Sequence, residues 1–531
     1  MCRQHRTRWI AMFGILLLGS LPVFALNDVQ ETSPKRPSAA SFRQIWLQRV
    51  HERILPNGLL VLAVPMGSAP VVAFHTYVDV GAVDEPVGDT GLAHLFEHLA
   101  FKGTSTIGTT DWEREKAALE KMESAHHCYL EEKWRGDQAD KTRMQQCWEE
   151  FQYWQKEAQK YVRSDEFGKI IEQNGGRGLN ATTSADATRY FYRLPANRIE
   201  LWFYLEWARF TDPVFREFYK ERDVVLEEYR LRVENSPIGR LITRLLGVAF
   251  IAHPYGRPVI GFPSDLANTE IARAETFYRT HYCASNMAVA IVGRIDPDTV
   301  FSLSERYLAR LPTCPSRRPI VTREPPQEGP RRMVIRMQAQ PMIVLAYHIP
   351  SFRHPDWQPL EALSYILARG RSSRLYQRLV IREKIAATVG VFPGYPGRKY
   401  PTLMIVYAVP NPNITTDRIE RTILDEIQRI QNDGITPEEL QRYQNQALHD
   451  FYRTFERNAS LAAALTAYAK LTGDWRHLFD EPERIRAVRP EDVQRVARTY
   501  LRPELRTVGE IQPLPAEPST PSTDDTHPEE N

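Results

Sequence analysis

Pro70-Val71-Val72-Ala73-Phe74-His75 has a near twin in Pro341-Met342-Ile343-Val344-Leu345-Ala346-Tyr347-His348. Both are short β-branched and aromatic runs behind a proline, which reads as a strand of a buried sheet. A helical pattern follows each, beginning near Leu92 in the first copy and near Leu363 in the second. The pairs Pro70/Pro341 and Leu92/Leu363 share an offset of 271 positions. Further on, His281-Tyr282 precedes an apolar strand as Thr499-Tyr500 precedes another, at an offset of 218. This repetition predicts an α+β fold: two similar αβ domains in tandem, each a mainly antiparallel sheet packed with helices.

The two offsets differ by 53, so the first copy carries an insertion of that size. Residues 110–162 fit it and read as a charged helical hairpin, opened by a capping box Thr110-x-x-Glu113 and broken at Arg135-Gly136-Asp137. Met144, Cys147, Phe151, Ala158 and Tyr161 keep helical spacing on one stripe. Cys128 and Cys147 lie at similar distances from the break and would face one another in an antiparallel hairpin, which predicts a disulfide; whether Cys283 and Cys314 pair is open. Outward from the repeats, the chain divides into a signal peptide (1–25), a loose leader (26–43), a metal-bearing domain (44–311), a proline-rich linker (312–331), an inactive repeat domain (332–511) and a disordered tail (512–531).

The signal is read from Arg3, Arg6 and Arg8, an apolar run from Ile10 to Leu21, and Val23-Phe24-Ala25 at the cleavage site. It predicts export across an inner membrane into a periplasm, a compartment that suits the four Cys left after Cys2 is removed. The full chain has 531 residues, 42% hydrophobic and 25% charged, with 68 basic and 66 acidic side chains. Removing the three arginines of the signal leaves 65 against 66, a balance that makes no case for nucleic acid or an anionic membrane as partner.

The chemistry centres on His94-Leu95-Phe96-Glu97-His98. On a helix, residues four apart stack on one face, so His94 and His98 can hold a single cation. Glu97 shares that face and is placed to take a proton from a metal-bound water. The apolar flanks Leu92, Leu95, Phe96 and Leu99 bury the rest of the helix. A third ligand is sought in Glu221-Arg222-Asp223-Val224-Val225-Leu226-Glu227-Glu228. Glu221 and Glu228 are two turns apart and share a face, whereas Glu227 points about 100° away. Glu228 is therefore assigned as ligand and Glu221 as a catalytic-site neighbour supporting it.

These two segments together resemble the inverted-zincin family, which includes pitrilysin, insulin-degrading enzyme and mitochondrial processing peptidase. The resemblance spans roughly residues 45–510. It implies one Zn²⁺ per chain held by His94, His98 and Glu228, Glu97 as general base, and αβ repeats closing around a chamber. The wide spacing of His98 and Glu228 is explained by the hairpin. Gly175 to Tyr190 resembles the family's segment beside the metal, which places Asn180 and Ala181 at the substrate backbone on an exposed strand edge. His253, in His253-Pro254-Tyr255-Gly256, also resembles the family and is read as structural.

The second half departs from this pattern. At the offset of 271, His94, Glu97 and His98 fall opposite Tyr365, Ala368 and Arg369, so no second metal site is expected. The family's non-metal half often supplies an Arg and, seven residues on, a Tyr that hold substrate. Arg382 matches, but Val389 stands where the Tyr is expected. The expectation is a zinc metalloendopeptidase acting on peptides or small unfolded proteins, completed by a related subunit (or a second copy) that supplies the Arg/Tyr pair. The alternative is a non-catalytic scaffold or partner-binding subunit of a peptidase-like complex.

Overall fold

The computed structural model describes residues 39–315 and 319–514. The signal segment, most of the leader and the tail beyond 514 lie outside the described residues. The first sheet contains β1 (His51–Ile54), β2 (Leu60–Pro65), β3 (Val71–Val78), β4 (Arg177–Thr183), β5 (Thr188–Pro195) and β6 (Met287–Gly293), in the order β1-β2-β6-β3-β5-β4. The second contains β7 (Arg331–Arg336), β8 (Met342–Ile349), β9 (Ala386–Tyr395), β10 (Thr402–Pro410) and β11 (Arg506–Gln512), in the order β7-β11-β8-β10-β9. Each sheet has one parallel pair, β2–β6 and β7–β11, and is otherwise antiparallel. β3 and β8 are the twin segments, and each sits near the middle of its sheet.

Register measures the insertion directly. Val78 pairs with Thr188 in the first sheet and Ile349 with Thr402 in the second. These partners are 110 and 53 positions apart, so the first half carries 57 more residues here. The 53 read from the offsets is a net figure, reduced by a longer second half further on. Two helices, α1 (Ala39–Arg49) ahead of the first sheet and α2 (Leu92–Leu99) after β3, precede the hairpin formed by α3 (Trp112–Trp134) and α4 (Lys141–Gln159). A Thr109–Val162 bridge closes the hairpin at its base. Its N-cap is Asp111, whose side chain accepts from the Arg114 N–H, and not Thr110 as the capping-box reading expects. Cys128 and Cys147 are bonded across it, with Cα atoms 5.9 Å apart, and Cys283 and Cys314 form a second disulfide.

The central strands of both sheets are apolar on both faces, and every residue of β6 is buried. Such sheets need cover on each side. The covering helices are exchanged between the halves. Helix α5 (Phe218–Tyr229) stays with the first sheet, but α6 (Pro237–Ala249) leaves it. Leu241, Leu245 and Leu246 of α6 pack on Val344, Ala346 and Ile405 of the second sheet. Within the second half, α7 (Trp357–Ala368) packs on its own sheet, while α8 (Asn458–Thr472) lies on the first. There Leu461, Ala462 and Leu465 meet Leu62, Val64, Ala290 and Val292. A cut through 312–331 therefore separates the sheets but not the packing.

Four boundaries differ from the sequence reading. Residues 39–43 of the leader belong to α1, because Trp46 and Phe42 pack on Phe451 and Phe455 of the second half. Helix α7 starts six residues before Leu363, at Trp357, whose indole is buried. Gln512, placed in the tail, ends β11, and Arg331, placed in the linker, begins β7.

Candidate metal centre

Helix α2 is only eight residues long and would not persist alone. Its inward side chains Leu92, Leu95, Phe96 and Leu99 enter the first core beside Phe215, Phe277 and Tyr282. Gly91 at its start has φ +93°, and a Cβ there would stand 2.8 Å from the Ile260 carbonyl oxygen, so glycine is required. Without a side-chain cap, the first N–H groups turn to Glu85, whose carboxylate accepts from the Gly91 and Ala93 N–H at 2.8 and 2.7 Å. Burial pushes the Glu85 carboxyl up to about 8, against those two hydrogen bonds.

The buried core of α2 leaves His94 and His98 facing α5, with ring centroids 5.0 Å apart and nearly perpendicular. Glu228 on α5 comes between them: its Oε2 lies 3.8 Å from His94 Nε2 and 3.6 Å from His98 Nε2. Among the described residues these three form a metal-type cluster, their ligand atoms all within 4.8 Å of one another. The separations are long for hydrogen bonds. They are near the ~3.3 Å expected between ligands of a tetrahedral ion with bonds of about 2.0–2.1 Å. Burial lowers His94 to about 3, so its imidazole is neutral, as a ligand must be. Its Nδ1 is buried with no hydrogen-bond partner among the described residues. A neutral, desolvated imidazole facing a carboxylate across an ion-sized gap fits zinc.

The surroundings hold the ligands in place. Glu221 Oε2 lies 3.3 Å from His98 Nδ1, and its Oε1 accepts from Lys102 Nζ at 2.6 Å. Burial works to raise Glu221, but the bonds from His98 and Lys102 outweigh it and hold the group at about 2. Lys102 also donates to Glu217 at 3.0 Å. Arg232 pairs with the outer oxygen of Glu228 at 2.7 Å, where α5 widens into a π turn over Arg230–Glu234. Lys102, Arg232 and Glu85 escape the sequence reading. Lys102 is four residues past His98 and Arg232 four past Glu228, so helical spacing holds the signal for those two. Glu85 reaches α2 through a loop and leaves none.

Glu97 is half-buried on the same helix. Burial raises its carboxyl above the ordinary range, offset in part by a hydrogen bond from Thr183 and by His98. Thr183 ends β4, an edge strand of the first sheet, and its hydroxyl oxygen also lies 3.5 Å from the Ala93 carbonyl oxygen. Asn180 and Ala181 lie on this edge strand, opposite Phe191 and Tyr190. Glu227 points outward and pairs with Arg230. His253 is buried away from the cluster: its Nδ1 accepts from the Tyr255 N–H, and its ring packs on Tyr255 and Tyr400. Arg382 is exposed in the second half, and Val389 is buried in β9, the free edge of the second sheet. The structure brings neither to the cluster.

Residues 61–133 match the family model described as insulinase (peptidase family M16), and residues 270–447 the one described as peptidase M16 inactive domain. A Helicobacter pylori protein named zinc protease PqqE is 27% identical over 483 residues, covering 90% of this chain and 95% of the relative. A probable β subunit of the mitochondrial-processing peptidase from Arabidopsis thaliana is 23% identical, covering 87% and 78%. The solved structure of a protease from Helicobacter pylori superposes with a TM-score of 0.73 at 26% identity, over 87% of this chain and 99% of that one. The periplasmic protease PqqL of Escherichia coli shares the fold at 17% identity, with a TM-score of 0.64 over 88% of this chain and 48% of that one.

Proposed function

This chain belongs to the insulinase-type M16 family of zinc proteases, and from that premise we propose that it is an endopeptidase in which Glu97 activates water. The observation that carries the reading is the convergence of His94, His98 and Glu228 from two helices beside a raised carboxyl and a free strand edge. His94, His98 and Glu228 would hold a zinc ion, which would supply Lewis acidity and lower the pKa of the attacking water. Glu97 accepts the water proton on its free carboxylate oxygen and returns it to the leaving nitrogen. Its raised basicity suits that exchange near neutral pH. An extended peptide pairs its backbone with β4 at Asn180 and Ala181, which brings a carbonyl to α2. Glu221 keeps His98 oriented, and Arg232, paired with the outer oxygen of Glu228, keeps that carboxylate oriented.

The second half contributes packing and no metal. With Val389 in place of a Tyr and Arg382 remote from the cluster, we propose that substrate holding is completed by a related subunit or a second copy of this chain. The N-terminal sequence, read as a signal segment, supports a periplasmic location for this activity.

Hydrolysis of a quenched unfolded peptide tests this reading, run on the zinc-loaded chain alone and after addition of candidate partners. Glu97→Gln should retain zinc and lose turnover. Retained turnover would remove Glu97 from the base role, and full activity from the isolated monomer would remove the partner.

A further inference from the structure

The face of the first sheet turned away from α2 carries charge that the metal cluster does not use. Along β5, Tyr190, Tyr192 and Leu194 enter the core under α2, while Arg189, Phe191 and Arg193 alternate onto the opposite face. Helix α8 covers that face over β6 and β3, and its first residues stop beside β5. A cavity of about 850 Å³ remains. Its floor is Phe191, stacked on His75 at 5.9 Å, flanked by Arg189 and Arg193; Arg457 stands at the roof and Gly178 at the outer edge.

Among the described residues no carboxylate lies within ion-pair distance of Arg189, Arg193 or Arg457. Glu456, at the rim, sits 4.0 Å from Arg453. Arg177 is the direct cross-strand partner of Arg193. Like charges facing one another across an antiparallel pair destabilise it. Three guanidiniums thus line the cavity, with Arg177 opposite Arg193 on the neighbouring strand, and the one carboxylate at the rim, Glu456, pairs with Arg453 and with none of them.

The register connects this cavity to the edge strand. A peptide added along β4 projects alternate side chains toward α2 and toward the cavity face. The added strand would lie about 10 Å from β5, two strand spacings away. An arginine and a glutamate reaching toward each other span that gap. Gly178, held at φ +68°, adds no side chain on the way, and even a Cβ there would make only ordinary contact, 3.5 Å from Arg193 Nη2. Thr183, which bonds Glu97, and Gly178 are five positions apart, or about 17 Å along the strand.

We propose that this cavity takes an acidic side chain of the peptide substrate, some three to six residues from the bond that is cut. The proposal rests on the peptidase reading and adds to it a preference for acidic peptides. The test uses pairs of quenched peptides identical but for Glu or Gln at one position, walked from three to six residues on either side of the scissile bond. Zinc-loaded protein should favour Glu by about ten- to a hundredfold in kcat/KM at one position on one side, the range of one charge-assisted hydrogen bond. Raised salt should shrink the ratio. Arg193→Gln and Arg457→Gln should bring it toward one. Fluorescence anisotropy of the same peptides, labelled and bound to Glu97→Gln, should give the same Glu/Gln ratio without turnover. Cleavage with no Glu/Gln difference at any position, or a difference that survives Arg193→Gln, overturns the cavity proposal and leaves the peptidase standing. Tighter binding of the Glu peptide with no cleavage by zinc-loaded protein, alone or with candidate partners added, supports the cavity and overturns the peptidase.

Discussion

Replacing Glu221 separates holding a ligand from being one. Its two oxygens do different work: one faces His98 Nδ1 at 3.3 Å and the other accepts from Lys102 at 2.6 Å. In Glu221→Gln a single carbonyl oxygen remains, and it can serve His98 or Lys102 but not both. If it turns to Lys102, the amide N–H₂ faces His98 Nδ1 and favours the tautomer that puts the proton on Nε2, the nitrogen that faces Glu228. In Glu221→Ala the imidazole loses its partner altogether, and Lys102 keeps only Glu217 at 3.0 Å. Partners of this kind are worth 10- to 100-fold in metal affinity, or about 1.4–2.7 kcal/mol. The Gln variant should fall near the lower end and the Ala variant near the upper. Chelator competition at fixed pH measures the zinc Kd directly, and folding is checked by the unchanged near-ultraviolet circular dichroism of the metal-free proteins. An unchanged Kd in Glu221→Ala would show that the carboxylate orients nothing. Complete loss of zinc, matching Glu228→Ala, would make Glu221 a ligand and the present assignment wrong.

Other perturbations test the frame around the site. Arg216 is buried; its Nε and Nη2 donate to the two oxygens of Glu115, and its Nη1 and Nη2 also donate to the carbonyls of Lys102, Thr104 and Ile107. Arg216→Met leaves Glu115 buried and unpaired and should cost about 3–5 kcal/mol in chemical denaturation. Reducing or removing the Cys128–Cys147 bond, which spans 19 residues, should cost the hairpin about 3 kcal/mol on the chain-entropy account, read as faster amide exchange confined to 112–159. Acid should destabilise the fold through His75, His126 and His253, which burial lowers to about 3, 3 and 4. Their folded values lie below the unfolded 6.5, so this stability is complete above pH 6.5 and is lost as pH falls toward the folded values. At pH 5 each costs at most about 2 kcal/mol. His126→Phe should remove its share of the slope measured by urea titration between pH 6.5 and 5, and an unchanged slope would contradict the assignment.

The sequence carried the repeat because a buried strand after a proline is a strong local pattern, and the 271-residue offset could be counted. It carried the metal ligands because helical spacing alone puts His94 with His98 and Glu221 with Glu228. The hairpin was legible as a difference of offsets, and its disulfide from symmetry about Gly136. What stayed hidden depends on contacts between distant segments. The exchange of α6 and α8 between the sheets has no local signature, since an amphipathic helix reads the same whichever sheet it covers. Glu85 capping α2 is likewise a loop-to-helix contact. The N-cap slipped from Thr110 to Asp111 because both residues can accept the bond, and the Thr109–Val162 bridge, which fixes where the helix begins, joins segments far apart in sequence. The arginine-lined cavity needs β5 and the start of α8, more than 260 positions away, to be brought together.

The central claim is one zinc ion held by two histidines and a glutamate, open on the side of Glu97. Anomalous diffraction at the zinc edge from crystals of zinc-loaded protein tests it most directly. One peak is expected, bonded to His94 Nε2, His98 Nε2 and Glu228 at about 2.0–2.2 Å, with a fourth position left to water. A peak elsewhere, no peak, or a site closed by a fourth protein ligand such as Glu97 or Glu221 would contradict it.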